Sequence, residues 1–124
     1  MKGPDGMIAV SDSVKPAGLN ITEYISEGRH CTINNGVIRL SDGTIYGSTM
    51  TLLDGARNLI RANIPLGDVA KITSYNAACV LGVEHLVGSI AVGKYADLAV
   101  LDENLNLHAT FIGGECVYSR AEQK

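Results

Sequence analysis

Apolar residues fill both alternating sets of positions from Met7 to Ser11, the pattern of a strand covered on both faces, as parallel strands of α/β proteins are. A central strand is therefore expected there, ended by Asp12 and by the breaks at Pro16 and Gly18. From Tyr24 the pattern changes. β-branched residues alternate loosely with polar ones, and Asn34-Asn35-Gly36 and Ser41-Asp42-Gly43 supply turn residues tolerant of positive φ, so short antiparallel strands and hairpins are expected. Ser48 or Thr49 is the expected N-cap of an amphipathic helix in which Leu52, Leu53, Ala56, Leu59 and Ile60 recur at helical spacing through Asn63. Arg57 and Arg61 fall on its wetter side, and Pro65 interrupts it. Two shorter helices follow, Leu66 to Thr73 and, capped by Asn76, Ala77 to Leu81, stopping at Gly82. The remainder reads as β: Asp97 to Asp102, a turn at Glu103-Asn104, Leu107 to Ile112, a Gly113-Gly114 turn, and Glu115 to Tyr118, with a frayed tail from Ser119.

This order is odd for a compact domain. A strand buried on both faces needs neighbours on each side, and no second strand of that kind is present. Composition narrows the choices. The chain has 124 residues, 46% hydrophobic and 19% charged, the make-up of one domain with a core. A net charge of -3 and the absence of any Lys/Arg run exclude a phosphate-backbone partner, so no nucleic acid is expected. Apolar runs break well before the ~20 residues of a membrane helix, and "MKGPDG" lacks an apolar leader core; the cytoplasm is the expected location, with no membrane partner. Cys31, Cys79 and Cys116 are odd in number and have no C-x-x-C spacing, so free thiols, buried or half-buried, are expected.

The stretches "VSDSVKPAG", "DGTIYGSTMTLLDGARNL" and "NAACVLGVEHLVGSIAVGKYADLAVLDENLNLHATFIGGECVY" resemble three successive blocks from the C-terminal third of the N-acetylglucosamine-6-phosphate deacetylases, in the amidohydrolase superfamily. The closing block is shared by many amidohydrolases. The middle block narrows the likeness, with Gly47-Ser48 opening a helix that contains Gly55, Arg57 and Asn58. Ala77 departs from the family, which usually has Pro after this Asn.

The resemblance implies an α/β fold, the C-terminal fragment of a TIM-like (β/α)8 metal-dependent hydrolase barrel plus part of its small β-sandwich. Residues 1–23 would be the last barrel strand and its catalytic-Asp loop, 24–47 a β-hairpin segment, 48–83 barrel-covering helices and 84–124 C-terminal strands of the sandwich. Such barrels need about 200 residues or more, so this chain is expected to be truncated and inactive alone. Its uncovered faces would favour a homo-oligomer.

The activity implied is deacetylation of N-acetylglucosamine 6-phosphate to glucosamine 6-phosphate and acetate, in amino-sugar catabolism. From spacing alone, Asp12 is a turn residue before Pro and Gly. The resemblance makes it catalytic: a carboxylate at the C-terminal end of the last strand that takes a proton from the attacking water and returns one to the departing amine. By the same carry-over, the main chain of Ile45, Tyr46 and Gly47 contacts the sugar phosphate; without it, these residues are a hairpin end leading into a helix. The complete enzyme would hold a divalent metal, zinc or iron. His30, His85 and His108 sit on separate expected elements, so no metal ligand is expected in this chain unless Asp12 is one, and the fragment would bind none. Two alternatives stay open: another amidohydrolase, a cyclic amidase or deaminase, or a non-catalytic interaction or dimerisation fragment.

Overall fold

The computed structural model describes residues 3–122. They form two compact units, one of Ala9–Ile64 and one built from the residues before Ala9 and those from Pro65 on.

In the first unit, β1 (Glu23–Ser26), β2 (Arg29–Asn34), β3 (Val37–Leu40) and β4 (Ile45–Ser48) make one antiparallel meander in sequence order. Two-residue loops close the first two hairpins. Glu27 and Gly28 have φ of +50° and +77°, and Asn35 and Gly36 +48° and +78°, the all-positive pair whose twist matches flanking strands. Between β3 and β4 the Asp42 carboxylate accepts the Thr44 N–H at 2.9 Å, and an irregularity falls between Ile38 and Arg39. Register places Cys31 opposite Leu40 and Ile33 opposite Ile38, so they share a face, and Cys31 and Ile38 are fully buried. The helix α1 (Leu52–Arg61) follows. Its N-cap is Thr51, not Ser48 or Thr49: the Thr51 hydroxyl accepts the Asp54 N–H at 3.2 Å while the Asp54 carboxylate accepts the Thr51 N–H at 2.9 Å. That reciprocal box satisfies two donors at once and sets the start. Asn63 at φ +61° ends the helix, with the Ile64 N–H reaching back to the Leu59 carbonyl at 3.1 Å.

In the second unit the helical run is continuous. α2 (Leu66–Ala70) passes through a π-helical turn, Lys71–Tyr75, into α3 (Asn76–Leu81), which stops at Gly82 in the left-handed region, φ +70°. Asn76 is therefore helical and not a cap. It is buried, and its side-chain amide donates to the carbonyls of Pro4 at 2.8 Å and Met7 at 2.7 Å. A sequence reading gives Asn its local role, as a cap; here the distant carbonyls won. Val69, Ile72 and Ala78 are buried on this run, and Gly88 lies so close that a Cβ there would meet the Ala78 Cβ at 2.8 Å. A second antiparallel sheet holds β5 (Leu98–Leu101), β6 (Leu107–Ile112) and β7 (Glu115–Ser119) in sequence order. The Asp102 carboxylate accepts the N–H groups of Asn104 and Asn106, fixing the first turn. Of the tail expected to fray, Ser119 closes β7, Arg120–Glu122 form a 3₁₀ turn, and the last two residues lie outside those described.

Two expectations meet a different outcome. Residues 7–11 form no ladder among the described residues, and Met7, Ile8 and Val10 are 39, 42 and 81% exposed. A two-faced apolar strand exists only when flanked, and no described strand flanks this one. The thiols are free, but only Cys31 is buried; Cys79 and Cys116 are exposed.

Candidate active site

The chain beyond residue 11 does find a partner one step later. Ser13 forms a parallel bridge with Ser48, the last residue of β4, in which the Ser48 N–H donates to the Asp12 carbonyl at 2.8 Å and the Val14 N–H donates to the Ser48 carbonyl at 3.0 Å. Side chains reinforce it. The Ser48 hydroxyl donates to the Ser11 carbonyl at 2.5 Å and accepts the Met50 N–H at 3.2 Å, and the Ser13 hydroxyl donates to the Met50 carbonyl. Two segments far apart in sequence are thus joined beside the edge of a sheet.

Asp12 stands at this junction with φ +50°. Among the described residues, four other non-glycine positions share positive φ, and each has a local reason. Glu27 and Asn35 sit in hairpin loops, Asn63 ends a helix, and Leu105 lies in the turn after β5. Asp12 has no such reason. A left-handed non-glycine residue costs of order 1–3 kcal/mol and persists only where its surroundings over-determine it, and here the surroundings are the bridge. Aspartate tolerates that region better than most residues.

Gly47 makes room for it. Gly47 is buried with φ +153°, and a Cβ there would stand 2.9 Å from Val14 Cγ1, 3.1 Å from the Asp12 carbonyl oxygen and 3.7 Å from Asp12 Oδ2. A side chain at Gly47 would therefore collide with Val14 and crowd the Asp12 carbonyl, so glycine lets this backbone lie close to residues 12–14. The carboxylate itself is exposed. Ile45 is 61% exposed and Tyr46 half-buried. The Arg29 guanidinium lies over the Tyr46 ring, 4.9 Å from its centroid, and the Tyr46 hydroxyl meets Ser26 Oγ at 3.0 Å. β4 is an edge strand of its sheet, so main chain there is left for other partners.

Asp12 and Gly47 thus come together, while the three histidines do not join them. His30 meets Glu23 at 3.1 Å across the β1–β2 pair, and no group of three or more His, Cys, Asp or Glu side chains converges among the described residues. A hydrolytic metal site takes about three protein ligands, and the residues present do not make one. The sequence reading missed Ser48 as a link to Asp12, because a serine before a helix carries the signal of a cap. A cavity of about 420 Å³ in the other unit is lined by Met7, Ile8, Tyr75, Asn76, Cys79 and Val80 among others, and includes none of the candidate residues.

The model of the amidohydrolase family matches residues 7–117, nearly the whole chain. This chain belongs to the amidohydrolase family. Amidohydrolases are generally metal-dependent. This amidohydrolase chain is 34% identical over 122 residues to an N-acetylglucosamine-6-phosphate deacetylase of Bacillus subtilis, covering 98% of this chain and 31% of that protein. The solved N-acetylglucosamine-6-phosphate deacetylase of Thermotoga maritima matches with TM-score 0.87 and 35% identity, over 95% of this chain and 32% of the other. A mutant deacetylase of Mycobacterium smegmatis, solved in complex with N-acetyl-D-glucosamine-6-phosphate, matches with TM-score 0.82 and 27% identity, over 94% and 32%. The chain therefore spans about a third of the length of these relatives.

Proposed function

We propose that this amidohydrolase segment is the part of an N-acetylglucosamine-6-phosphate deacetylase that carries the proton-transferring carboxylate, Asp12, and the main-chain contact with the sugar phosphate at Ile45, Tyr46 and Gly47. In this reading residues 7–11 are the last strand of a (β/α)8 barrel, flanked by strands outside this segment, and both sheets contribute to the small β domain. Zinc or iron is held by ligands elsewhere, and the reaction runs in the cytoplasm. One observation carries the proposal. Asp12 and Gly47, far apart in sequence and both singled out by the resemblance, meet at a single junction, with the carboxylate beside the Gly47 main chain.

The chemistry follows from that placement. Hydrolysis of the acetamide needs a proton removed as the water oxygen bonds to the carbonyl carbon, and a proton supplied to nitrogen as the C–N bond breaks. An exposed carboxylate, open to the reacting groups, can take the first proton and then return it to the amine. The products are acetate and the amino sugar. Main-chain groups at residues 45–47 suit the distal phosphate, and the nearby Arg29 adds positive charge beside Tyr46.

Asp12→Asn in the full-length enzyme that contains this segment should lower kcat at least about a hundredfold while the fold survives, because it removes the proton acceptor at constant shape. Near-normal turnover would return Asp12 to the role of a turn residue. Acetate release from the phosphorylated sugar and not from cyclic amides separates the deacetylase from a cyclic amidase.

A further inference from the structure

We infer that Ser48 and Gly47 form a latch that sets the position of the Asp12 carboxylate, so that the strand offered to the sugar phosphate and the proton-transferring residue move as one piece. The inference rests on the proposed role of Asp12, but the latch itself is a matter of geometry. Three contacts make it. The Ser48 main chain holds Asp12 from one side through the 2.8 Å bond to its carbonyl, and holds Val14 on the other through the 3.0 Å bond from its N–H. The Ser48 hydroxyl adds a third tie, to the Ser11 carbonyl at 2.5 Å. Gly47 lets the two strands close up, since its missing side chain would overlap Val14 and press on Asp12. The same hydroxyl accepts the Met50 N–H, which extends the latch to the lead-in of α1.

The arrangement explains two facts that a hairpin end does not. Asp12 is the one positive-φ non-glycine residue among those described that lies in neither a turn nor a helix end, and the bonds on both its sides pin the backbone there. Ser48 also sits three residues before the actual cap, Thr51, so capping α1 does not require its hydroxyl. In catalytic terms Ser48 and Gly47 are positioning residues: they touch Asp12 and act through it. Binding energy from a remote phosphate on residues 45–47 would then reach the reacting centre as orientation, which raises kcat more than it lowers KM.

The test uses the 124-residue chain and the full-length enzyme in parallel, with Ser48→Ala, Ser48→Thr and Gly47→Ala. In the isolated chain, amide exchange and the intraresidue amide-to-α-proton NOE at Asp12 are followed by NMR. Ser48→Ala is expected to speed exchange of the Ser48-position and Val14 amides about tenfold and to weaken the short-distance NOE that marks positive φ at Asp12. Amides of β1 and β2 should not change, and Ser48→Thr, which keeps the hydroxyl, should restore the original values. Gly47→Ala should release Asp12 more completely. In the enzyme, Ser48→Ala should lower kcat about tenfold with little change in KM, and Ser48→Thr should recover it. Unchanged Asp12 geometry in both Ser48→Ala and Gly47→Ala overturns the latch, as does a wild-type chain whose Asp12 already shows unfolded-chain values. Release of Asp12 without any loss of kcat leaves the latch standing and sinks the catalytic role of Asp12 instead.

Discussion

The two units use long-range hydrogen bonds to different ends. In Ala9–Ile64, the bonds joining residues 11–14 to 48–50 hold a carboxylate in an unfavourable backbone conformation at an exposed edge. In the other unit, the bonds joining Asn76 to Pro4 and Met7 satisfy a buried amide within a relaxed helix, and Lys71 pairs with Asp5 at 2.8 Å on the surface nearby. The first set orients a reactive group at the expense of local comfort. The second closes a core. Polar contacts of equal length therefore do unlike things, and what separates them is whether the bonded residue is strained and exposed or relaxed and buried.

That contrast can be broken most directly at Asn76. Asn76→Ala should destabilise the chain by about 1–2 kcal/mol, since it removes a buried amide and its two part-buried hydrogen bonds to the Pro4 and Met7 carbonyls. Denaturant unfolding would show it, and a loss too small to measure would mean that water replaces the amide and the bonds are not structural. Ser48→Ala, by comparison, should cost the chain little while moving Asp12. A smaller effect sharpens the contrast from within the first unit. Thr51→Ala should cost about 1 kcal/mol by opening the capping box, read as faster amide exchange in the first turn of α1 with Asp12 unaffected.

The same box predicts a weak acid sensitivity. The Thr51 main-chain N–H, then its hydroxyl, then Arg57 hold the Asp54 carboxyl below its usual range. Because the folded pKa is depressed, the stabilisation is present above the unfolded value near 4 and is lost as pH falls through the folded one. With the Asp54 side chain 38% exposed, solvent reduces this to less than about 1 kcal/mol. Thr51→Ala should shrink it further.

What the sequence made legible was local. The strand over Leu107–Ile112, the Gly113-Gly114 turn, the stop at Gly82 and the hairpin at Asn35-Gly36 all stand where alternation and turn chemistry placed them. Each depends on residues within a few positions of one another. Two of the departures involve distant partners. Asn76 and Ser48 both carry cap signals, yet their side chains reach carbonyls 69 and 72, or 37, positions away. The π-helical turn at Lys71–Tyr75 has no sequence signature in the periodicity, and it merged two helices that were expected to be separate. Asp12 and residues 45–47 were each legible only through family likeness; that they meet was legible in neither.

Both sheets pair only sequence neighbours, whereas the bond from Ser48 to Ser11 closes a loop of 37 residues. Chain entropy makes such a closure slower than a hairpin. The meander can therefore complete itself first, and the junction that carries Asp12 joins it last. During folding this segment would pass through a stage with its scaffold built and its chemistry absent, and pulse-labelled exchange should find the β2 and β3 amides protected before that of Ser48.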